Sequence, residues 1–251
     1  MLASQRRQSI LASLKRDGQA EAGFLSRQLG VSEDTIRRDL RAMAAEGLLK
    51  RVHGGALLHA PAEATLAVRQ TIAPESKVAI AKAAARMIAP GQIVLLDGGT
   101  TAVQVARHLL TDLKATIVTH SPAVAVELSE RPGIDIVIVG GSLFRHSMVA
   151  VGAAALEALG PIHADLFFMG VTGVHPTAGL TTGDLEEAAM KRALMAHAAK
   201  TVVLASQEKI GAMSPYRIAD VTAATAIIVE AKTSSALLAP FEAKGVDIVR
   251  V

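Results

Sequence analysis

The sequence contains no cysteine, which excludes disulfide bonds, thiol chemistry and thiolate metal sites. This absence fits a reducing compartment, and we expect a cytoplasmic protein. No apolar run approaches the roughly 18 residues that would span a bilayer. The N-terminal stretch also lacks a continuous apolar core followed by a small-residue cleavage site, so we expect neither membrane association nor export.

Aromatic residues are scarce, at 2% of the chain, and tryptophan is absent. Proteins that read RNA or single strands stack bases on aromatic side chains, so the composition disfavours that function. The eight histidines show no pair at metal-ligand spacing beside a carboxylate, and we expect no metal and no cofactor. The hydrolase motif G-x-S-x-G and the Walker loop are also missing.

Positive charge is concentrated in the N-terminal quarter. Residues 1–58 carry ten Lys or Arg against six Asp or Glu, a balance of +4, whereas residues 59–251 carry sixteen against seventeen, a balance of −1. A confined basic excess of this kind is the electrostatic signature of a surface that docks a polyanion.

Three short helices are predicted in this basic segment. Leucine and isoleucine at helical spacing indicate the first, which a turn signal at Asp17-Gly18 ends. The second runs from near Glu21 to Gly30. The third follows Ser32, a good N-cap residue, and ends at Gly47.

The third helix has a polar outward face. Ile36, Leu40 and Met43 form its apolar stripe, and the opposite side is net positive. Two helices joined by a three-residue junction form a helix-turn-helix, and the following segment LLKRVHGGALL reads as two strands of a wing. We therefore expect double-stranded DNA as a partner, with contacts from Ser32, Glu33, Thr35, Arg37, Arg38, Arg41, Arg51 and His53. A solvated basic face with an Asp34–Arg38 pair is the alternative.

The chain is predicted to have two domains. Residues 1–58 form the winged helix-turn-helix, and residues 59–74, with proline at both ends and weak periodicity, read as a linker. From residue 75 to 251, continuous apolar strands alternate with helices, which indicates an α/β domain with a doubly wound, mostly parallel sheet covered on both faces.

Glycine and hydroxyl residues follow four successive predicted strands, which end at 96, 118, 139 and 169. Ligands bind beyond the carboxyl ends of such strands, and glycine loops before helices favour phosphate. We therefore predict a site for a phosphorylated small molecule, built from Asp97, Gly98, Gly99, Thr100, Thr101, His120, Ser121, Gly140, Gly141, Gly170, Thr172 and Gly173. For any single loop, a tight strand-to-helix turn is the alternative. Asp97 either orients a sugar hydroxyl or caps the following helix.

Four further positions extend this prediction. Thr181 and Thr182 precede a predicted helix and complete the anion site, with Glu187 and Lys191 as supports or as an ion-paired solvated face. Lys209 follows the strand at 201–204 and either reaches the same rim or is a surface lysine.

The string VSEDTIRRDLRAMAAEGLLKRVHGGA resembles the helix-turn-helix and wing of DeoR-family bacterial transcriptional regulators. The strings LDGGTT and MGVTGVHPTAGLTT resemble that family's effector domain, so the resemblance covers nearly the whole chain. It implies a repressor of carbohydrate-metabolism genes controlled by a phosphorylated sugar or a related metabolite. It also implies a homodimer or homotetramer.

The effector domain of that family is in turn similar to ribose-5-phosphate isomerase, which makes a sugar-phosphate isomerase with an appended DNA-binding module the alternative function. The isomerase motif resembles G-A-D-E-V-D, and this chain has Thr172 and His175 in place of the two aspartates. A general base is therefore missing at that motif, and we expect no enzyme activity. The chain also has Ser206 where the family usually shows Asp, and His120 where Asn is frequent.

Overall fold

The structure is a computed structural model that describes residues 2–17, 19–46, 48–58 and 66–251. Gly18 and Gly47, the predicted turn and helix-end signals, lie outside the described residues. So does the first half of the predicted linker, residues 59–65.

The N-terminal segment folds as three helices and a small antiparallel sheet. Its elements are α1 (Ala3–Asp17), β1 (Gln19–Glu21), α2 (Ala22–Leu29), α3 (Glu33–Ala45), β2 (Leu49–Val52) and β3 (Gly55–Leu58). Strand β3 lies between β1 and β2, so the sheet of the wing has three strands and not the two that were predicted. The additional strand, β1, was not predicted because it has only three residues. The predicted stripe of α3 is buried against Ile10, Leu14 and Leu25.

Local signals explain where α3 begins and how it is held. The Ser32 side chain accepts a hydrogen bond from the Thr35 backbone N–H at 3.3 Å, which caps the helix. Asp39, on the buried side, accepts a 2.5 Å hydrogen bond from Arg6 of α1. This pair fixes the orientation of α3 relative to α1.

The C-terminal segment alternates helices and strands. Its elements are α4 (Leu66–Thr71), α5 (Pro74–Arg86), β4 (Ile93–Leu96), α6 (Thr100–Arg107), β5 (Ala115–Thr119), α7 (Pro122–Leu128), β6 (Ile134–Ile138), β7 (Ser142–Phe144), β8 (Val149–Val151), α8 (Ala153–Leu159), β9 (Ala164–Gly170), β10 (Gly173–His175), β11 (Gly179–Thr182), α9 (Leu185–Ala196), β12 (Ala198–Leu204), β13 (Tyr216–Ala219), β14 (Ala226–Val229), α10 (Ser235–Glu242) and β15 (Asp247–Arg250).

Seven of these strands form a sheet in the order β15-β14-β12-β9-β4-β5-β6, and every neighbouring pair is parallel. Side chains of β4 alternate between two cores: Val94 and Leu96 pack with α5, α6 and α7, whereas Leu95 packs with α8, α9 and α10. Both faces of the sheet are thus covered, which is why the strands are apolar throughout. The predicted doubly wound, mostly parallel sheet is confirmed.

The order of strands reverses between β4 and β9. From β4 the chain proceeds outward through β5 to β6, then returns to the other side of β4 to form β9. In open α/β sheets, the crevice at such a switch point is where ligands bind.

Other elements differ from the predicted ones. Residues 66–71 of the predicted linker form helix α4. Strands β7 and β8 form a hairpin, and β10, β11 and β13 form a small antiparallel sheet, all of them too short for a clear pattern. Thr181 and Thr182 precede helix α9, as predicted, but they lie in strand β11. Among the described residues, no helix is long and apolar enough to cross a bilayer.

Candidate functional site

A pocket lies at the switch point, beyond the carboxyl ends of β4 and β9. Its wall includes the loop after β4, the loop after β9, the buried side of α9 and the start of α5. The lining residues are Arg69, Ile72, Lys77, Gly98, Gly99, Thr100, Thr101, Ser147, Gly170, Val171, Thr172, Thr182, Glu187, Lys191, Glu208 and Lys209.

The loop after β4 requires its two glycines. A Cβ at Gly98 would lie 2.1 Å from the Val149 side chain, and Gly99 has a φ of 94°, which side chains rarely adopt. Helix α6 begins directly afterwards, and no side chain caps it. Its first N–H groups and the positive end of its dipole are therefore available to an anion at Thr100 and Thr101.

Asp97 lies beneath the pocket and joins the two switch-point strands. Its Oδ1 accepts hydrogen bonds from His120 Nε2 at 2.9 Å and Gly98 N–H at 2.8 Å. Its Oδ2 accepts from Gly170 N–H at 2.8 Å and from Lys191 Nζ. With both oxygens occupied and no exposed surface, Asp97 does not cap α6, whose cap residue is Gly99.

The charge state of Asp97 follows from these partners. Burial is the largest single influence and opposes ionisation, but the charge of Lys191 and the hydrogen bond from His120 together hold the pKa of Asp97 well below its ordinary value. Asp97 is thus a fixed carboxylate that positions Lys191 at the pocket.

Four cationic side chains line the pocket: Arg69, Lys77, Lys191 and Lys209. Lys209 is only 7% exposed, and no hydrogen bond or ion pair joins its ammonium to any residue that the structure describes. Burial lowers the pKa of Lys209 to about 8; Glu208 opposes this effect, and the neighbouring cations reinforce it. An unpaired buried ammonium among other cations favours binding of an anion.

Glu187 and Lys191 are buried, at 7% and 3% exposure, and they line the pocket. Thr182 Oγ1 donates a 2.7 Å hydrogen bond to Glu187 Oε2, and Lys191 Nζ lies 3.8 Å from Glu187 Oε1. The alternative of a solvated face is therefore wrong for this pair, and so is the alternative of a surface lysine for Lys209.

The structure brings together eight residues of the predicted anion site as pocket lining: Gly98, Gly99, Thr100, Thr101, Gly170, Thr172, Thr182 and Lys209. Three more lie buried outside the lining: Asp97, His120 and Ser121. His120 links Asp97 to the Ala150 carbonyl, and Ser121 Oγ donates to the Met148 carbonyl.

The remaining predicted residues lie elsewhere. Gly173 and Thr181 belong to the antiparallel sheet, where Thr181 Oγ1 donates to the Gly173 carbonyl at 3.2 Å. Gly140 and Gly141 are exposed after β6, at the edge of the large sheet, because β5 separates β6 from the switch point.

Arg69, Lys77, Ser147 and Glu208 line the pocket and were not predicted. The sequence pattern could have identified Lys77, since it falls on the same face of α5 as the buried Ile80, Ala81 and Ala84, where a lysine is unexpected. No sequence pattern indicates Arg69, because its segment shows weak periodicity and contacts the hairpin between β7 and β8 only in the folded chain.

All but one of the predicted DNA-contacting residues are exposed on the N-terminal segment. Ser32, Glu33, Arg37, Arg38, Arg41, Arg51 and His53 are exposed, and Thr35 is half-buried. One depression is lined by Arg37 from α3 and by Arg51 and His53 from the wing. Arg38 and Arg37 pair with Asp34 and Glu33 one helical turn away; such exposed pairs are weak, so both arginines remain available to phosphate or base.

No group of three or more His, Asp or Glu side chains that could hold a metal ion occurs within the described ranges.

Comparison with known proteins identifies two family domains. Residues 6–61 match the DeoR-like helix-turn-helix domain, and residues 72–231 match the DeoR C-terminal sensor domain. The chain is similar to the HTH-type transcriptional regulator GlpR of Haloferax volcanii, at 34% identity over 99% of this chain and 98% of the relative. It is also similar to a putative aga operon transcriptional repressor of Escherichia coli O157:H7, at 30% identity over 99% of this chain and 94% of the relative.

A solved structure of ribose 5-phosphate isomerase A from Methanocaldococcus jannaschii is a distant likeness, with 20% identity, 54% of each chain covered and a TM-score of 0.40. The assignment of this chain to a family rests on the two family domains and on the relatives that match nearly its whole length. This chain therefore belongs to the DeoR family, and it is a DNA-binding transcriptional regulator with a C-terminal sensor domain.

Proposed function

We propose that this chain is a cytoplasmic repressor whose operator affinity is controlled by a phosphorylated sugar or related metabolite. Residues 1–58 would bind the operator and residues 75–251 would hold the effector. The observation that carries the proposal is the convergence of a glycine loop, an uncapped helix N-terminus and four cationic side chains on one pocket. A phosphate dianion matches this arrangement in size, charge and hydrogen bonding.

Operator recognition is assigned to α3 and the wing. The shared depression of Arg37, Arg51 and His53 supports this assignment, because one duplex could meet both elements. The repressor sense is supported by the E. coli relative, which is a putative repressor.

We also propose that the pocket senses and does not catalyse. Two carboxylates line the pocket: Glu208 accepts a hydrogen bond from Ser206, and Glu187 is engaged by a hydrogen bond from Thr182 and by the nearby charge of Lys191. With one oxygen accepting from Thr182 and the other beside Lys191, Glu187 is suited to accept a hydrogen bond from a ligand hydroxyl.

Self-association would complete the repressor, and the edge strand β6 supports a contact between two copies. Val137 and Ile138 of β6 are 42% and 59% exposed, and Asp135 is the one exposed charge on that strand. An apolar edge with free backbone groups pairs readily with a second copy of itself. The other edge, β15, carries Asp247 and Arg250 and is less suited to pairing.

Isothermal titration calorimetry with inorganic phosphate, glucose 6-phosphate and ribose 5-phosphate tests the effector site. We expect binding by the full-length protein, a loss of at least about tenfold in affinity for Lys209→Met, and no change for Lys82→Met, an exposed lysine of α5.

Absence of heat with all three compounds would overturn the assignment of the pocket to phosphate. Interconversion of ribose 5-phosphate and its ketose by the purified protein would instead establish the isomerase alternative.

A further inference from the structure

Arg69 belongs to the segment that leads from the DNA-binding domain, yet its guanidinium lies in the sensor pocket. Its Nη2 donates to the His146 carbonyl at 3.2 Å and to Ser147 Oγ at 3.3 Å. Its Nη1 lies 3.9 Å from the position that a Cβ on Gly99 would occupy. The Nε atom is buried and has no partner among the residues described. Arg69 thus has donor capacity left over, directly above the glycine loop.

The described side chains of α4 bury little surface, although the helix also lies against α6. The helix has six residues, Val68 is 52% exposed, and none of its described side chains is fully buried. A helix this short is unstable without tertiary contacts. Its docking therefore depends on the polar contacts of Arg69, including the hydrogen bond that Lys77 Nζ donates to the Arg69 carbonyl.

Backbone strain accompanies the docked position. Ala73, between α4 and α5, has a φ of 45°, and Met148, next to the Ser147 that Arg69 contacts, has a φ of 53°. Both values lie in the left-handed region, which costs a residue with a side chain roughly 1 kcal/mol or more. The position of α4 in which Arg69 contacts Ser147, the docked position, is therefore accompanied by strain at Ala73 and at Met148.

Repulsion between cations also disfavours the docked position of α4 when the pocket holds no anion. Arg69, Lys77 and Lys209 are close enough to influence one another, and burial lowers the pKa of each, although Glu187 and Glu208 partly offset the repulsion. A dianion placed among these cations would reverse the sign of the interaction and give Arg69 a bidentate partner.

We propose that Arg69 is the residue through which an anion in the sensor pocket fixes helix α4, the first described element after the DNA-binding domain. The inference rests on the proposed effector site and assigns the step by which binding at that site changes the position of α4. The ligand shifts a population between docked and undocked α4 because its contact with Arg69 exists only in the docked state.

Hydrogen exchange of the full-length protein, measured by mass spectrometry with and without saturating inorganic phosphate, tests the proposal. In the wild type, we expect phosphate to slow amide exchange in residues 66–71 by about tenfold and to slow exchange in the loop at 98–101. The same result is expected for Arg86→Gln, a variant of an exposed arginine on α5.

Two variants of the pocket distinguish an anion that fixes α4 from an anion that binds without fixing it. At its own saturating phosphate concentration, Lys209→Met should still slow exchange in residues 66–71, since Lys209 is not part of α4. At its saturating concentration, Arg69→Gln should protect the loop at 98–101 and leave residues 66–71 unchanged. Unaltered melting temperatures and equal exchange in β4 and β9 show that each variant is folded.

Protection of the loop without protection of residues 66–71 in the wild type would overturn this inference and leave the effector site standing. Protection of residues 66–71 in Arg69→Gln equal to that in the wild type would also overturn it. Absence of protection in both regions, together with absence of binding heat, would overturn the effector site itself.

Discussion

At the scale of single residues, Asp97 organises the sensor pocket without touching its interior. The carboxylate receives four donors from four parts of the chain and holds Lys191 toward the pocket. A buried ion pair of this kind adds little net stability when intact, but removing one partner leaves an uncompensated charge.

The pair of Lys191 and Asp97 gives a stability prediction. Lys191→Met should lower the free energy of unfolding by about 3 kcal/mol, because Asp97 is then buried without its cation. Urea denaturation at pH 7 measures the change, and Lys82→Met is the control. The double variant Asp97→Asn with Lys191→Met should lose less than the sum of the single variants; additive losses would contradict the coupling.

Lys209 gives a prediction on pH. Its pKa of about 8 means that the free protein carries it protonated below pH 8 and increasingly neutral above. A bound anion favours the protonated form, so binding at higher pH requires proton uptake, and affinity for glucose 6-phosphate, an ester that is a dianion throughout this range, should fall about tenfold between pH 7 and pH 9.

Calorimetry across this range, in buffers of different ionisation enthalpy, detects that proton uptake. Lys209→Met should flatten the decline. An affinity that is constant from pH 7 to pH 9 in the wild type would show that Lys209 does not contact the anion.

At the scale of elements, α3 shows how a helix divides its faces. Ile36, Leu40 and Met43 enter the core, and the arginines stay outside in weak ion pairs. The apolar period of the sequence predicts this division. The period also places Asp39 on the buried side, but it does not reveal the partner, Arg6, which only the packing of α1 beside α3 supplies.

For α3 we predict a change in the salt dependence of DNA binding. Arg38→Ala should weaken binding to a duplex selected from a random pool by the ligand-free protein. It should also reduce the slope of log affinity against log salt concentration by about 0.9, the loss of one phosphate contact. Arg145→Ala, which removes an exposed charge near β7, is the control. An unchanged slope would remove Arg38 from the DNA interface.

Strands of the large sheet were predicted to within a few residues, because buried parallel strands are apolar throughout. The short strands β7, β8, β10, β11 and β13 were not predicted. Each has three or four residues, which is too few for a period of two to stand out from the surrounding sequence.

At the scale of the whole molecule, the two edges of the large sheet differ. One edge, β6, exposes Val137 and Ile138 together with a single charge, Asp135, whereas both exposed residues of the other edge, β15, are charged. Since unpaired edges associate unless charge blocks them, a second copy of this chain would meet the first at β6.

Ile138→Lys should therefore shift the molar mass in solution toward the 26.0 kDa of one chain. Light scattering coupled to size exclusion measures the mass, and Asp247→Lys on the opposite edge should leave it unchanged. A mass for Ile138→Lys equal to that of the wild type would place self-association at another surface.

The sequence by itself determined the class of protein. Local periods specify the α3 stripe and the parallel strands, confined charge marks the DNA-binding segment, and the glycine loop after β4 marks one wall of the sensor pocket. Tertiary structure alone decided which residues complete that pocket. Arg69, Lys77, Ser147 and Glu208 meet there, and Gly140 and Gly141 do not. The physical reason is strand order: the switch point joins β4 to β9, a pairing between residues about 70 positions apart that no local pattern encodes.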